Sequence, residues 1–379
     1  MLMRTTGTLT FHAAHNYGSM LQAFALQQYL LGLGCANEII DLRPAAQARM
    51  YRPFSLLPAK SLPNFVQNLL DLRFKPALDR KWRRFERFLR TDLRCTRHYA
   101  SYGELVRDLP ACDRYITGRD QVWNVSAGDF DWSYFLPFAQ GNALSYAPSF
   151  GPGSCRPAVA DAKDRICACL SRFKAISVRE SGSAAILKEV CGLDAEVLVD
   201  PTLLLTREEW VSRMPAMDPV RPGYILVYSP SVYTREMLRT VRRVARQTGR
   251  RVVLTNPIDG RLRFEAAGFD KVFDCGPWEF LHWLRSADLV MTTSYHAVVF
   301  SLLFERPFYA VRDYRDNRMD QLLTSTGLTD RLIASDADGW ASGDPFSVDF
   351  SAVAPFLEAE RRRSRAFLLK NLDLDDGTL

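Results

Sequence analysis

The chain has 379 residues, of which 47% are hydrophobic and 24% charged, and its net charge is +6. This composition excludes a disordered chain, and the length favours two domains over one. Because the eight cysteines form no CxxC pair and no apolar run is long enough to span a bilayer, we expect reduced thiols, no metal site and a cytoplasmic protein without a secretory signal.

The first hundred residues predict a strand, a helix and a second strand, followed by a basic helical segment. The spacing of apolar residues indicates a strand over 7–12, a helix over 19–33 and a strand over 38–42, a unit that builds parallel sheets. Residues 43–107 then hold 15 Lys or Arg against 5 Asp or Glu. Three interpretations stay open: peripheral contact with the anionic inner face of the membrane, contact with an anionic acceptor or nucleic acid, or a solvated helix whose arginines pair with carboxylates elsewhere.

Strands and helices alternate along the rest of the chain. Strands are predicted at 114–117, 143–147, 175–178 and 195–199 and, after a proline-rich linker at 214–223, at 224–228, 251–255, 288–291 and 308–311. This order predicts an α/β protein of two Rossmann-like domains facing each other across a cleft. The N-terminal domain spans 1–213 with the basic insertion at about 45–107, the C-terminal domain spans 222–349, and a helix and tail at 350–379 pack back.

One strand–helix junction, at 288–303, is the strongest candidate for chemistry on an anionic substrate. A short apolar strand passes through Ser294 to His296 and becomes an apolar helix, so backbone N–H groups at the helix start can bind an anion. A histidine in this position titrates near neutral pH and can transfer protons. Arg179, after the strand at 175–178, and Arg318, near a later helix start, are candidate anion clamps. The alternative for Arg179 is a structural pair with Glu180 or Asp200.

The opening of the first helix is a candidate binding loop. Asn16, Tyr17, Gly18 and Ser19 stand there, and Gly18 permits a tight turn beside the N–H groups of the helix start. Binding of an acceptor sugar is one interpretation. Capping of the helix by Ser19 is the other.

A second polar loop follows the strand at 114–117. Asp120 is a candidate base, and Gln121 and Trp123 beside it suit the polar edge and apolar face of a sugar. Alternatively, Asp120 and Asn124 hold the loop by hydrogen bonds to its backbone.

Several of these loops, taken together and in order, resemble the polysaccharide pyruvyl transferase family. The matching segments include Asn16-Tyr-Gly-Ser, Gly118-Arg-Asp-Gln-Val-Trp-Asn, Ser145-Tyr-Ala-Pro-Ser-Phe-Gly, Ile176-Ser-Val-Arg-Glu, Val199-Asp-Pro-Thr and Ser294-Tyr-His. Each motif by itself is weak, but the ordered set covers nearly the whole chain.

The resemblance implies a GT-B-like fold and an enzyme that moves a pyruvyl group from phosphoenolpyruvate to two hydroxyls of a glycan or glycan-precursor sugar. The product is a cyclic ketal and phosphate is released. The expected partners are phosphoenolpyruvate and a free or lipid-linked sugar acceptor, with no further cofactor and no nucleic acid. On this interpretation His296 and Asp120 are catalytic. Arg179, Ser294 and Arg318 bind the donor, and the acceptor is bound by Asn16, Tyr17, Gly18, Ser19, Gln121 and Trp123.

The chain departs from the family pattern at three positions. Arg119 stands where Ser is usual, Ala297 where Gly is common, and Ser294 where some members carry an arginine that could hold the donor carboxylate. Two other functions therefore stay open. One is a sugar-nucleotide-dependent GT-B glycosyltransferase, and the other is a non-catalytic glycan-binding or membrane-docking protein.

Overall fold

The structure is a computed structural model that describes residues 4–44, 47, 72, 74–151, 155–230, 233–256, 262, 264–312, 317–334 and 344–375. Most of residues 45–73, the first part of the predicted basic insertion, lie outside the described residues. Contacts divide the chain into two compact units. Unit 1 contains the described parts of 1–51, 89–205 and 356–379, and unit 2 those of 52–88 and 206–355.

Unit 1 is built on a five-stranded parallel sheet in the order β2-β1-β3-β4-β5. Its strands are β1 (Thr5–Leu9), β2 (Ala36–Ile39), β3 (Arg114–Asp120), β4 (Ala143–Pro148) and β5 (Phe173–Ala175). A second, two-stranded sheet pairs β6 (Ser177–Val178) with β7 (Glu196–Val197). The single strand predicted at 175–178 is therefore two short strands in different sheets.

The helices of unit 1 begin with α1 (Tyr17–Gly32), which follows β1. Another helix, α2 (Lys75–Thr91), lies in unit 2 up to Phe88, and its last residues, 89–91, belong to unit 1. The remaining helices of unit 1 are α3 (Tyr102–Arg107), α4 (Arg156–Asp161), α5 (Lys163–Leu170), α6 (Ser181–Cys191) and, at the end of the chain, α12 (Val353–Leu372).

Unit 2 contains a six-stranded parallel sheet in the order β10-β9-β8-β11-β12-β13. Its strands are β8 (Tyr224–Tyr228), β9 (Arg251–Leu254), β10 (Asp270–Lys271), β11 (Leu289–Thr292), β12 (Phe308–Arg312) and β13 (Leu332–Ala334). Its other helices are α7 (Arg207–Arg213), α8 (Arg235–Thr248), α9 (Pro277–Ser286), α10 (Tyr295–Leu303) and α11 (Asn317–Ser325). The central strands β8 and β11 are buried along their whole length, as expected for a parallel sheet covered on both faces.

Local sequence explains where the helices of unit 2 begin and end. In α8, the side chain of Thr234 accepts a hydrogen bond from the N–H of Met237, and Gly249 ends the helix in the left-handed conformation that glycine adopts without strain. The buried residues Leu238, Val241 and Val244 recur at helical spacing and pack on the sheet.

The structure corrects two predictions, one about the domain that contains the basic segment and one about the cysteines. Residues 74–88 of the basic segment pack with unit 2 rather than with the N-terminal unit, since Phe74 and Leu78 lie against the core of unit 2. The thiols are not all reduced, because Cys167 and Cys191 form a disulfide with their Cα atoms 5.3 Å apart. These two cysteines come from adjacent helices, α5 and α6, and their 24-residue separation gives no sequence signal.

The C-terminal helix α12 belongs to unit 1. Its apolar residues Phe367, Leu368 and Leu372 join the cluster that contains Leu26 and Leu30 of α1. Among the described residues, no helix is both long and apolar enough to cross a membrane.

Candidate functional site

The strand–helix junction at 288–303 has the predicted form, with β11 leading into α10 through Thr293 and Ser294. Ser294 is buried, and its hydroxyl accepts a hydrogen bond from the N–H of Ala297 at 3.4 Å. Ser294 is therefore the N-cap of α10. The first-turn N–H groups of this helix form a positive end at the carboxyl edge of the unit 2 sheet, where ligands bind in parallel α/β folds.

The ring of Tyr295 lies beside both His296 and Arg318 at this edge. The His296 ring meets the Tyr295 ring edge-on, with the centroids 5.7 Å apart, and both residues are partly exposed. The guanidinium carbon of Arg318, in the first turn of α11, lies 5.7 Å from the centroid of the same tyrosine ring. The structure thus places Ser294, His296 and Arg318 close together at one edge of the unit 2 sheet. The sequence predicted His296 as catalytic and the other two, with Arg179, as donor-binding residues.

The charges around this group favour an anion. The first turn of α10 contains no acidic residue. The nearby carboxylate of Asp320, in α11, forms an ion pair with Arg312 at 2.5 Å. A helix N-terminus, a guanidinium and a histidine together can bind a carboxylate or phosphate and deliver a proton to it or to a neighbouring carbon.

A chain of hydrogen bonds extends this edge across three adjacent strands. Thr293 Oγ1 donates to Ser229 Oγ at 2.9 Å, beyond the end of β8. Asn256 Nδ2, beyond β9, donates to the carbonyl of Ser229 at 2.6 Å. Lys81 Nζ of α2 donates to Asn256 Oδ1 at 2.7 Å. Sequence reasoning missed Lys81 and Ser229, because no local pattern connects α2 with the ends of β8 and β9.

In unit 1 the predicted first-helix loop and the Asp120 loop meet. Ser19 Oγ donates to Asp120 Oδ2 at 2.5 Å, and Asp120 Oδ1 accepts from the N–H of Gln121 at 2.9 Å. Asp120 has the left-handed φ of 74°, which is uncommon for a non-glycine residue. A partly exposed carboxylate in this conformation is a candidate base, and the structure leaves that prediction open.

The roles predicted for Gly18 and Ser19 need correction. The cap of α1 is Asn16, whose side chain accepts from the N–H of Ser19 at 3.3 Å. The left-handed turn residue is His15, with φ 42°, whereas Gly18 lies in the first turn of the helix. Tyr17 is 1% exposed, so its ring is not available to stack on a sugar.

Trp123 was predicted to face a sugar, but it is completely buried in the core of unit 1. Its indole stacks on Phe135 with the centroids 5.3 Å apart and the planes 7° apart, and its Nε1 donates to the carbonyl of Tyr134. The polar neighbour Gln121 is partly exposed and accepts from Asn124 Nδ2 at 3.0 Å. An aromatic residue beside polar ones in sequence can point to the opposite side of the loop, and Trp123 does so.

We expect Trp123→Ala to lower the free energy of unfolding by about 3–5 kcal/mol, because removal of a large buried side chain leaves a cavity in the core. Denaturant unfolding measures this loss. Trp132→Ala is the matched control, since Trp132 packs against Phe135 in the same cluster but is partly exposed, and a smaller loss is expected there. A loss below about 1 kcal/mol for Trp123→Ala, together with weaker sugar binding, would restore the sugar-binding interpretation.

Another buried polar group lies at the carboxyl ends of β1 and β2. His12 Nε2 contacts Asp41 Oδ1 at 2.8 Å, and its Nδ1 contacts the carbonyl of Thr10 at 3.1 Å. Burial alone would raise the pKa of Asp41, but hydrogen bonds from His12 and Arg43 outweigh it and hold this pKa well below its usual range. The two ring nitrogens of His12 thus join the ends of β1 and β2. We interpret this group as structural.

The family model for polysaccharide pyruvyl transferase matches residues 16–313, which is more than half of the chain. The chain belongs to the polysaccharide pyruvyl transferase family. No curated protein matches it.

Solved structures show the fold of this pyruvyl transferase family member. A UDP-N-acetylglucosamine 2-epimerase is 10% identical with a TM-score of 0.54, over 97% of this chain and 96% of that one. The UDP-N-acetylglucosamine 2-epimerase of Rickettsia bellii is 7% identical with a TM-score of 0.50, over 98% of both chains. These likenesses show a GT-B-like α/β fold with parallel sheets.

Arg179 forms the structural pair with Glu180 that was the alternative to donor binding, and its donor-binding role stays a prediction. Its side chain is 1% exposed in unit 1, and its Nε pairs with Glu180 Oε2 at 3.1 Å. Glu180 also accepts hydrogen bonds from Ser149 and Ser183. These contacts place the Nε of Arg179 and the carboxylate of Glu180 at the start of α6 in this pyruvyl transferase family member.

Much of the basic segment is engaged in ion pairs. Lys75 pairs with Asp79, and Arg97 pairs with Glu104 and Asp108, in exposed positions. These contacts agree with the solvated-helix interpretation for the described part of the segment, and the membrane interpretation stays a prediction. Within the described ranges, no group of three or more His, Cys, Asp or Glu side chains could hold a metal ion.

Unit 2 also contains a pocket of about 870 Å³ that lies apart from the predicted site residues. It is bounded by the linker at 216–221 and by α9, with Arg251, His282 and Trp283 in its wall. Arg251 pairs with Asp270 at 2.7 Å, and His282 contacts the carbonyl of Asp218 at 3.0 Å. Arg251 Nη2 also donates to the carbonyl of Arg221 at 2.6 Å. Because Arg251 and His282 hold the linker against the unit, we assign the pocket no role in catalysis.

Proposed function

We propose that the protein transfers a pyruvyl group from phosphoenolpyruvate to two hydroxyls of a glycan or glycan-precursor sugar, forming a cyclic ketal and releasing phosphate. Family membership supports this reaction class. The observation that carries the proposal is the group of His296, Tyr295 and Arg318 at the N-terminus of α10, which combines an anion site with a proton donor.

The proposed reaction has a simple balance of bonds and protons. The double bond of the donor becomes a single bond as its methylene carbon gains one proton and becomes a methyl group. The bond between the central donor carbon and the phosphate oxygen breaks, and two bonds from that carbon to sugar oxygens form. The two sugar hydroxyls lose two protons, which equal the one gained by carbon and the one carried away on phosphate.

Each step of this balance is assigned to described residues. His296 delivers the proton to the methylene carbon, because its ring is partly exposed beside the helix N-terminus. Arg318 and the N–H groups of α10 hold the donor's negative charge and stabilise the departing phosphate. In unit 1, Asp120 is the proposed base toward a sugar hydroxyl, and its bond to Ser19 orients the carboxylate.

We expect the purified protein to release phosphate from phosphoenolpyruvate only when a suitable sugar acceptor is present. The assay follows phosphate release with a panel of free and lipid-linked sugars and checks the product by mass spectrometry for a pyruvyl ketal. A parallel series with nucleoside diphosphate sugars follows release of nucleoside diphosphate. Turnover confined to that series would replace the proposal by a glycosyltransferase, and sugar binding without any turnover would favour a glycan-binding protein.

A further inference from the structure

A stripe of arginines runs along the outer face of helix α8 in unit 2. Arg235, Arg239, Arg242 and Arg246 recur four, three and four residues apart, so they lie within about 60° of one another around the helix axis. Arg239 and Arg246 are exposed, and neither has a hydrogen bond or ion pair within the described ranges. The one carboxylate of α8, that of Glu236, lies about 100° around the helix from Arg235. The stripe therefore presents unneutralised positive charge to solvent.

The turn at 264–267 holds an exposed phenyl ring beside this stripe. Arg242 Nη2 donates to the carbonyls of Glu265 at 2.6 Å and Ala267 at 2.8 Å, and Arg235 Nε pairs with Glu265 Oε1 at 2.8 Å. These contacts fix the turn against α8. Phe264, at the start of the turn, is 73% exposed, and it is the one exposed Phe, Tyr or Trp side chain in the described part of the chain. The four arginines and Phe264 together form one surface, which we name the α8 surface.

An anionic membrane matches both the charge and the apolar ring of the α8 surface. The arginines extend over about 16 Å of helix, which is too long for one small anion and suits an array of lipid phosphates. Each arginine near anionic headgroups strengthens binding by about fivefold, and a phenyl ring beside them can enter the boundary between headgroups and acyl chains. Single-stranded nucleic acid is held instead by several aromatic rings on which successive bases stack, and this surface has one.

We propose that the α8 surface binds the protein to the anionic headgroups of a membrane, with the ring of Phe264 inserted among them. The surface consists of residues outside the basic segment at 43–107, and it does not depend on the proposed reaction. Because α8 follows β8, its first turn lies at the carboxyl edge of the unit 2 sheet, the edge that also contains His296. Binding through the α8 surface therefore brings that edge close to the headgroups.

The test measures binding of the full-length protein to vesicles by co-sedimentation. Vesicles of phosphatidylcholine with about 30% phosphatidylglycerol, an anionic lipid, are compared with vesicles of phosphatidylcholine alone. We expect binding to the anionic vesicles only, weakening as salt rises from about 0.1 to about 0.5 M, because salt screens surface charges. The double variant Arg239→Gln with Arg246→Gln is expected to bind about 10- to 30-fold more weakly. Phe264→Ser is expected to bind about 3- to 10-fold more weakly, through loss of the apolar contact.

A second double variant, Arg285→Gln with Arg362→Gln, is the charge-matched control. These two arginines are exposed on α9 and α12. The right-handed crossovers through α8 and α9 run in opposite directions along the sheet, so the two helices lie on opposite faces of it. We expect the control to bind anionic vesicles within about 2-fold of wild type. Circular dichroism establishes that every variant is folded. A loss in the control equal to that of the Arg239 and Arg246 variant would show an effect of net charge alone and overturn the proposal.

Three further outcomes would reject the membrane as the partner of the α8 surface. The first is equal binding to the two kinds of vesicle, and the second is wild-type binding by the Arg239 and Arg246 double variant. The third uses a single-stranded RNA of about 20 nucleotides as a competing polyanion. Tight binding of this RNA that the double variant loses, without binding of anionic vesicles, would assign the surface to nucleic acid. Phosphate release with a free sugar acceptor is expected to be unchanged in the double variant, so this test and that of the proposed function can fail separately.

Discussion

Replacing His296 by alanine is expected to lower turnover by about 10²- to 10⁴-fold, the usual contribution of a general acid. The imidazole lies in the first turn of α10 and contacts Tyr295, so its loss removes the proposed proton donor while the cap at Ser294 stays in place. Phosphate release from phosphoenolpyruvate under saturating acceptor measures the effect on turnover.

His282→Ala is the control for His296→Ala. His282 lies on α9 in the same unit, and its ring contacts the backbone carbonyl of Asp218 in the linker. We expect it to keep turnover within a few-fold of wild type. Circular dichroism and thermal unfolding establish that both variants are folded. Turnover close to wild type in a folded His296→Ala variant would remove His296 from the mechanism.

Replacing Arg318 by methionine is expected to raise the Michaelis constant for the donor about 10- to 100-fold, or about 1.5–3 kcal/mol, the cost of losing a charge-assisted hydrogen bond. The guanidinium lies against the ring of Tyr295 and so beside the N-terminus of α10, where the donor's negative charge is expected. Steady-state kinetics with varied phosphoenolpyruvate and, separately, varied acceptor measure the two constants.

Arg250→Gln provides the arginine control within unit 2. Arg250 pairs with Asp288 at the amino ends of β9 and β11, at 2.6 Å, so its loss removes one charge from the unit without altering the carboxyl edge. We expect both Michaelis constants to stay within about 2-fold of wild type. If Arg318→Met altered only the acceptor constant, Arg318 would belong to acceptor binding instead.

Much of the fold was predictable because helices and strands have different local periods. The predicted strand at 224–228 coincides with β8, and the helix predicted over 19–33 overlaps α1 at Tyr17–Gly32. The short strands β10 and β13 were not predicted. Two- and three-residue strands at the edges of a sheet carry too few residues to show an alternating pattern.

The candidate site was predictable only where its residues are neighbours in sequence or follow strands of the same sheet. Ser294 and His296 lie two residues apart in one strand–helix junction, and Arg318 follows β12, the next strand of the sheet. Trp123 and Arg179 also follow strands, but both turn into the core of unit 1. A position at a strand end therefore predicts proximity to the sheet edge and does not predict the direction of the side chain.

The sequence by itself determined the α/β alternation, the family and the junction at His296, because periodicity, capping residues and ordered motifs are properties of short segments. Only the tertiary structure decided the surroundings of the charges. It buries Arg179 against Glu180, joins Cys167 to Cys191, and brings Lys81 to Asn256 across 175 residues. Such contacts depend on how helices dock on the sheets, and docking is set by the packing of many side chains together rather than by any local pattern.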